Sequence, residues 1–259
     1  MGLTTLALVR PHIDPFFYYI CGARHRVKCD AFRSVTALAL GPTHVATRDG
    51  GPVPDALSLL FPALVRFQAL VLDVTEPAYK PSGKRTAHGD ESNDVHAGVR
   101  SLDLGVATGI GVATLCKLPL RFPQLREFVA PAIDCSDALA ATILGWRYTL
   151  TALDLSRVVR LDIAQLALLL VGSRVNGNGD GGDCDLGEAL GLATLVRLRL
   201  ASWHRPLEAD LRRLLAQRVA LSPAAEDNVG HHLGGRVEIE WVPAPEDERA
   251  FPLEFAGFA

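Results

Sequence analysis

A hexamer pattern recurs along the chain: an apolar residue, two residues of any type, a second apolar residue, one residue of any type, and a third apolar residue. The copies are VTALAL from Val35, FQALVL from Phe67, VRSLDL from Val99, a weaker LREFVA from Leu125, LTALDL from Leu150, LVRLRL from Leu195 and a closing copy around Val237 and Ile239. The first six copies begin 32, 32, 26, 25 and 45 residues apart. A period of about 20–50 residues indicates a stack of repeated structural units.

The spacing within each hexamer indicates a short strand. Its last two apolar residues lie two apart, so they point to the same side of a strand and towards a shared core. Adjacent parallel strands need a return connection of about a dozen residues, usually a helix. Candidate helices begin after Ser136 and after Asp162, both good N-cap residues, and near Pro206. We therefore predict an irregular α/β solenoid, with short parallel strands on its concave face and helices on its convex face.

The segments FRSVTALALG, FPALVRF, RFPQLREFVAP and YTLTALDLS resemble the leucine-rich repeats of the ribonuclease-inhibitor type, in particular those of fungal F-box proteins. This resemblance covers roughly residues 35–242. The N-terminal LTTLALVRPHIDPFFYYI resembles the second half of an F-box, without the Leu-Pro start of the first half. The resemblance implies a non-enzymatic, monomeric scaffold for protein–protein interaction. It also implies a substrate-recognition subunit of a ubiquitin ligase, bound to the ligase adaptor if the F-box is completed upstream.

This interpretation divides the chain into three parts and two insertions. Residues 1–34 form an N-terminal cap with the partial F-box-like helical segment, residues 35–242 form the leucine-rich-repeat domain, and residues 243–259 form a tail. Two polar segments interrupt the repeats, at about 75–98 and at about 172–187, and we expect both to be loop insertions. Leucine-rich repeats commonly have asparagine in the turn after the strand, and we expect irregular turns because the corresponding residues are Thr43, Thr75, Ala107, Val158 and Trp203.

The strand residues between the inward-pointing positions form a predicted binding surface, because the concave face of a repeat stack is its usual contact surface. We predict that this surface is small and apolar at first, acidic in the middle and basic near the end. Its first strands contribute Ala37, Ala39, Ala69 and Val71, and its later strands contribute Ser101, Asp103, Ala152, Asp154, Arg197, Arg199, Arg236 and Glu238. We expect charge reversal at Asp154 or Arg199 to change partner association more than folding.

The segment VRSLDLGVATGIGVATLCKL also resembles the first motif of class I methyltransferases, which bind S-adenosylmethionine. That resemblance implies that Asp103, Gly105 and Gly109 approach the cofactor and that Asp134 holds its ribose. Ala107 stands where this family usually has glycine, and its Cβ crowds the cofactor. The flanking segments continue the repeat pattern, so we predict no cofactor and no catalytic residues. The methyltransferase is the first alternative, and an orphan or truncated repeat protein without a dedicated partner is the second.

Composition narrows the class of partner and the compartment. The formal net charge is −3, which provides no general attraction to nucleic acid or to an anionic membrane. No apolar run reaches the roughly 18–20 residues needed to span a bilayer. The five scattered cysteines are typical of a reducing compartment, and the N-terminal segment lacks the features of a secretion signal. We therefore expect a protein partner and a cytoplasmic or nuclear location.

Two segments contain metal-ligand residue types, but neither has a complete ligand set. Cys21, His25 and Cys29 are spaced four apart and offer three of the four ligands that structural zinc takes. The segment from Asn176 resembles a calcium-binding loop, but Gly187 stands at the twelfth position, where an EF-hand has a bidentate glutamate. We therefore predict no metal site.

Overall fold

The computed structural model describes residues 4–8, 32–40, 61–69, 96–105, 107, 110–173, 189–221 and 236–244. These residues contain ten strands: β1 (Thr5–Leu8), β2 (Ala37–Leu40), β3 (Arg66–Ala69), β4 (Ser101–Asp103), β5 (Glu127–Val129), β6 (Ala152–Asp154), β7 (Gly172–Ser173), β8 (Ala189–Leu190), β9 (Arg197–Ala201) and β10 (Glu238–Val242). Eight of them form one parallel sheet in their order along the chain, β1-β2-β3-β4-β5-β6-β9-β10. β7 and β8 form a separate antiparallel pair.

Four α-helices lie within these residues: α1 (Val112–Arg121), α2 (Asp137–Leu144), α3 (Ile163–Leu170) and α4 (Glu208–Leu221). A 3₁₀ helix, Ser202–Leu207, precedes α4. Each helix contacts the next one along the chain, so the four form one continuous layer. The predicted α/β class is confirmed. Among the helices that the structure describes, none has both the length and the apolarity needed to cross a lipid bilayer.

One face of the sheet packs against the helix layer through an aligned row of buried side chains. Because successive strand residues point to opposite faces, the residues on either side of this row lie on the other face. The row and the inward-facing helix residues, such as Leu115, Leu139, Leu166 and Leu211, belong to a single apolar cluster. The strand residues of the row are Leu38, Phe67, Leu102, Phe128, Leu153 and Leu198, paired from strand to strand.

Two predicted helix starts are confirmed as N-caps. The hydroxyl of Ser136 accepts a hydrogen bond from the backbone N–H of Leu139 at 3.3 Å. The carboxylate of Asp162 accepts one from the backbone N–H of Gln165 at 2.8 Å, and the Gln165 side chain accepts in return from the Asp162 N–H. This reciprocal pair is a capping box. Each cap contributes about 1 kcal/mol and determines where the chain turns from loop into helix.

The repeat in β3 has a different register from the predicted one. We placed its three apolar positions at Phe67, Leu70 and Leu72, but Phe67 pairs with Leu38. Phe67 is therefore the second apolar position of its repeat, and Leu64, which is also buried, is the first. The segment contains two overlapping matches to the same pattern, three residues apart. Pairing with the neighbouring strands selects the earlier one.

The N-terminal segment forms a strand where we expected a helix. Thr5–Leu8 pairs in parallel with β2, with Leu6 opposite Leu38. The sequence LTTLAL itself has the apolar spacing of the repeat, at Leu3, Leu6 and Leu8. This strand provides hydrogen-bond partners for the backbone of β2. A helix in its place would leave those backbone groups of β2 without partners. The rest of the predicted F-box-like segment, residues 9–31, lies outside the described residues.

The two predicted insertions lie mostly outside the described residues, as does the tail after residue 244. The described end of the first insertion belongs to the next repeat, since the ring of His96 is buried and stacks on Phe122. The second insertion is bounded by β7 and β8. Gly172 there has a φ of 91°, a conformation that favours glycine.

Candidate functional site

The face of the sheet opposite the helices, called the polar face below, carries two rows of aligned residues. The first row is Thr5, Ala37, Arg66, Ser101, Glu127, Ala152, Arg197 and Glu238. The second row is Ala7, Ala39, Gln68, Asp103, Val129, Asp154, Arg199 and Glu240. The rows therefore bring together residues from eight strands that are far apart in sequence.

The two rows contain most of the predicted surface, with two corrections. Ser101, Asp103, Asp154, Arg197, Arg199 and Glu238 lie in them as predicted. Arg236 does not, because it precedes β10 and the position opposite Arg199 is taken by Glu240. The register of β3 places Arg66 and Gln68 in the rows, instead of the Ala69 and Val71 that we predicted.

The charge pattern of the polar face also differs from the predicted gradient. The charged residues of the first row alternate in sign, in the order Arg66, Glu127, Arg197 and Glu238. The predicted basic end is balanced, because Glu238 lies opposite Arg197 and Glu240 opposite Arg199. The difference arises because the register of β3 places Arg66 in this row and because the weak repeat in β5 contributes Glu127. The polar face is therefore a mosaic of both charges.

An ionic network links three strands in the second row. One guanidinium nitrogen of Arg199, Nη1, lies 3.4 Å from Oδ2 of Asp154, and the other, Nη2, lies 3.0 Å from the carboxylate of Glu240. Asp154 is only 5% exposed, and its Oδ1 accepts a hydrogen bond from the backbone N–H of Ser156 at 2.8 Å. A buried carboxylate is costly unless it is paired. Charge reversal at Asp154 will therefore damage the fold, contrary to our expectation from the sequence.

Asp103 has the same turn arrangement at the end of β4, two strands before β6. Its Oδ1 accepts from the backbone N–H of Gly105 at 2.8 Å, and its Oδ2 accepts from Nε2 of Gln68 at 2.9 Å. Burial raises the pKa of Asp103, while the Gly105 N–H and the charge of Arg157 oppose this rise. An aspartate that accepts the N–H two residues later forms a side-chain-closed turn. In these two repeats, the Asp of Leu-Asp-Leu thus satisfies a turn amide, a role that the repeat resemblance assigned to an asparagine further on.

The residues that the methyltransferase resemblance implies are partly in place. β4, Gly105 and α1 follow one another as that motif requires. However, a Cβ on Gly105 would lie 2.8 Å from Cδ of Arg157 and 2.9 Å from Cγ1 of Val129, so protein side chains fill the space beside this glycine. Asp134 is exposed and lies 4.0 Å from Arg160. Gly109 lies outside the described residues.

A cleft of about 640 Å³ opens at the carboxyl ends of the strands, between the loops that follow β5, β6 and β9. Its volume is within the range of about 300–1,000 Å³ that is typical of ligand sites. The sequence did not reveal it, because its walls come from three separate loops. A tryptophan two residues after the end of β9, Trp203, was the one signal available in the sequence. Its lining residues include Asp134, Val159, Arg160, Asp162, Trp203 and His204.

His204 forms a buried part of the cleft wall and is held neutral. Its ring is 5% exposed, and Nε1 of Trp203 donates a hydrogen bond to its Nε2 at 3.0 Å. Because Nε2 accepts, the proton of the neutral ring is on Nδ1. Burial lowers the pKa of His204, and a hydrogen bond with the backbone of Val158 opposes this. Protonation of Nε2 would also break its bond to Trp203.

Lowering the pH from 7.5 to 5.5 will therefore destabilise the folded protein through His204. The unfolded imidazole takes up a proton near pH 6.5, whereas the folded one does so only at lower pH. The unfolded state thus binds more protons in this window, and the free energy of unfolding falls as the pH falls. Urea unfolding at both pH values measures the loss. His204→Gln should show a smaller loss than the natural chain, and an equal loss in both would contradict the assignment.

Cys135 lies in the cleft wall as an unreactive thiol. Burial, with a contribution from the carboxylates of Asp162 and Asp137, raises the pKa of Cys135 to about 11. The thiolate is the nucleophilic form of cysteine. Near neutral pH this side chain is therefore a thiol and does not attack an electrophile.

The described part of the chain contains no group of three or more His, Cys, Asp and Glu side chains placed to hold a metal ion. The incomplete ligand set of Cys21, His25 and Cys29 lies outside the described residues, and so does the segment from Asn176 to Gly187. The structure therefore describes neither of these two segments.

Comparison with known proteins does not assign this chain to a family. The chain matched no model of a protein family, no curated protein and no solved structure. The function proposed below therefore rests on the polar face and on the cleft at the carboxyl ends of the strands.

Proposed function

We propose that the chain is a leucine-rich-repeat protein that binds a partner protein through its polar face and performs no chemical step. The observation that carries this proposal is the strand order. Eight parallel strands lie side by side in chain order. Each contributes one residue to the buried row and one residue to each of the two rows of the polar face. Units that contact only their neighbours in sequence build the extended binding surfaces of repeat proteins.

The first row of the polar face is the part suited to recognising a partner. Its charged residues, Arg66, Glu127, Arg197 and Glu238, are exposed or half-buried and alternate in sign. A partner with the complementary order of charges gains attraction along the row, whereas a shifted partner meets like charges. The second row has less freedom to bind, because it contains the two turn-closing aspartates, Asp103 and the buried Asp154.

Replacing Arg197 by glutamate should weaken partner binding at least about tenfold. It should also lower the free energy of unfolding by up to about 1 kcal/mol, because Glu238 lies directly opposite in β10. Affinity capture from cell extract identifies proteins that the natural chain retains, and calorimetry with a purified candidate measures the affinity. Arg212→Glu is the matched control, since it makes the same charge change on the exposed side of α4. A candidate partner that binds Arg197→Glu and the natural chain equally would contradict the proposal. Capture of no specific protein would favour the orphan interpretation.

The ubiquitin-ligase role is a narrower form of this proposal. It is supported by the resemblance of the repeats to those of F-box proteins, but residues 5–8 form a strand rather than part of an F-box-like helix. Binding of the whole chain to a purified ligase adaptor tests it, and no binding at micromolar concentration would argue against it. We retain the cytoplasm or nucleus as the proposed compartment, since Cys116 and Cys135 are free thiols.

The class I methyltransferase remains the second candidate because β4, Gly105 and α1 have the required arrangement. Two observations weigh against it. Open α/β sheets bind nucleotide-like cofactors where the strand order reverses, and the eight strands described in this sheet follow the chain without a reversal. The side chain of Arg157 also fills the approach to Gly105. Calorimetric titration with S-adenosylmethionine separates the candidates, since saturable binding at one site would support the methyltransferase.

A further inference from the structure

We propose that the cleft at the carboxyl ends of β5, β6 and β9 binds the lysine or arginine side chain of an extended peptide segment of the partner. This inference deepens the proposed function and rests on it, because the peptide is taken to belong to the protein bound at the polar face. The cleft and Asp154 are close along the chain, since the loop that lines the cleft at Val159 and Arg160 begins directly after β6.

The walls of the cleft suit the stem of a long cationic side chain. Trp203 is 42% exposed, and its N–H edge points at His204, whose ring is nearly perpendicular to it at 87°. The faces of the indole are therefore not covered by that ring. Val159 is also exposed, and Leu207 contributes further apolar surface. Aliphatic walls contact the methylene groups of lysine or arginine, and an indole face attracts the cation.

The charges around the cleft favour a cation. Asp134 and Asp162 line it, and Arg160 is the one cationic side chain among its described lining residues. The contact between Arg160 and Asp134 is loose, at 4.0 Å between two well-exposed side chains, so an incoming cation can replace it. Burial is the main cause of the raised pKa of Cys135, and the carboxylates of Asp162 and Asp137 add to the rise, which agrees with a negative potential at this wall.

His204 adds no positive charge to the wall of the cleft. It lines the cleft, is 5% exposed, and burial lowers its pKa, so its ring is neutral near pH 7. Its Nε2 accepts a hydrogen bond from the indole N–H of Trp203, which holds the indole in place. The neutral imidazole therefore leaves the two aspartates to attract a cation.

The test uses three acetylated and amidated pentapeptides with glycine at four positions and lysine, norleucine or glutamate at the centre. The readout is the indole N–H signal of Trp203 in ¹H–¹⁵N NMR spectra of the whole chain, assigned with Trp203→Phe. We expect a saturable shift with the lysine peptide, with a dissociation constant on the order of 1 mM. Norleucine lacks only the charge, so its peptide should bind at least about threefold more weakly, and the glutamate peptide should not bind measurably.

Variants of the rim then identify the groups that recognise the cation. Asp134→Asn and Asp162→Asn should each weaken the lysine peptide about threefold, and asparagine at position 162 retains the N-cap of α3. Arg160→Ala should strengthen binding about twofold, because it removes a competing cation. Asp210→Asn is the matched control, since it makes the same change in net charge on α4, outside the cleft. It should leave the affinity unchanged.

Three results would overturn the inference: no shift of the Trp203 signal at 10 mM peptide (roughly ten times the expected constant), equal affinity for the lysine and norleucine peptides, or equal weakening by Asp210→Asn and Asp134→Asn. These results can be distinguished from a failure of the proposed function. A partner whose binding depends on Arg197, with no peptide bound in the cleft, refutes only the cleft. Peptide binding with no partner that depends on Arg197 refutes the polar face as the recognition surface.

Discussion

Replacing Trp146 by alanine will lower the free energy of unfolding by about 3–5 kcal/mol. Trp146 follows α2, is 1% exposed, and its ring centre lies 5.1 Å from that of Phe128 in β5. Its Nε1 donates a hydrogen bond to the backbone carbonyl of Phe122 at 2.8 Å, across 24 residues of chain. Alanine would leave a cavity between the helix layer and the sheet, and a buried carbonyl without its donor. Denaturant unfolding followed by circular dichroism measures the loss.

Two further variants separate the causes of this effect. Trp146→Phe retains most of the ring but cannot donate to Phe122, so it should lose about 1–3 kcal/mol. Tyr148→Ala removes an exposed aromatic ring two residues away and should change stability by less than about 0.5 kcal/mol. If Trp146→Ala were as mild as Tyr148→Ala, the described packing of this residue would be incorrect.

Replacing Arg218 by leucine will lower the free energy of unfolding by about 2–4 kcal/mol. The buried guanidinium donates to the carbonyl oxygens of Leu170 at 3.0 Å and Ala193 at 3.2 Å, with a longer contact to Leu195 at 3.5 Å. Arg218 in α4 thereby joins the last residue of α3 to the turn before β9. Burial lowers the pKa of Arg218, but arginine remains charged in proteins. Leucine would leave these carbonyls without donors and remove a cation from the C-terminus of α3.

The same denaturation experiment distinguishes this role from a general effect of charge. Arg212 lies on the same helix but is exposed and pairs with Glu208, so Arg212→Leu should change stability by less than about 0.5 kcal/mol. Arg218→Lys retains the charge but cannot reach several carbonyls with one planar group, so it should recover only part of the loss. Full recovery by lysine would show that the charge alone matters and would contradict the hydrogen-bonding account.

Local features of the fold were predictable wherever a short segment contains the whole physical cause. The capping boundaries at Ser136 and Asp162 follow from side chains that bond to amides three residues away. The buried positions of β4, β6 and β9 follow from an unambiguous Leu-x-Leu spacing, because strand alternation sends such residues to one face. For these strands the polar row of Asp103, Asp154 and Arg199 followed directly.

Other features were not predictable from any single segment. The stretch from Leu64 to Leu72 matches the apolar pattern in two frames, so only pairing with Leu38 and Leu102 could select the one in which Arg66 and Gln68 reach the polar face. The cleft is formed by three loops, so no single segment could show that Asp134 and Asp162 lie near Trp203.

The sequence by itself thus determined that apolar residues at regular intervals form parallel strands backed by helices, since that follows from the two periodicities of the backbone. The tertiary structure alone decided which frame each ambiguous strand adopts and which charges become neighbours. The physical reason is that register and clefts depend on hydrogen bonds and contacts between segments distant along the chain, and these energies are absent from any segment considered alone.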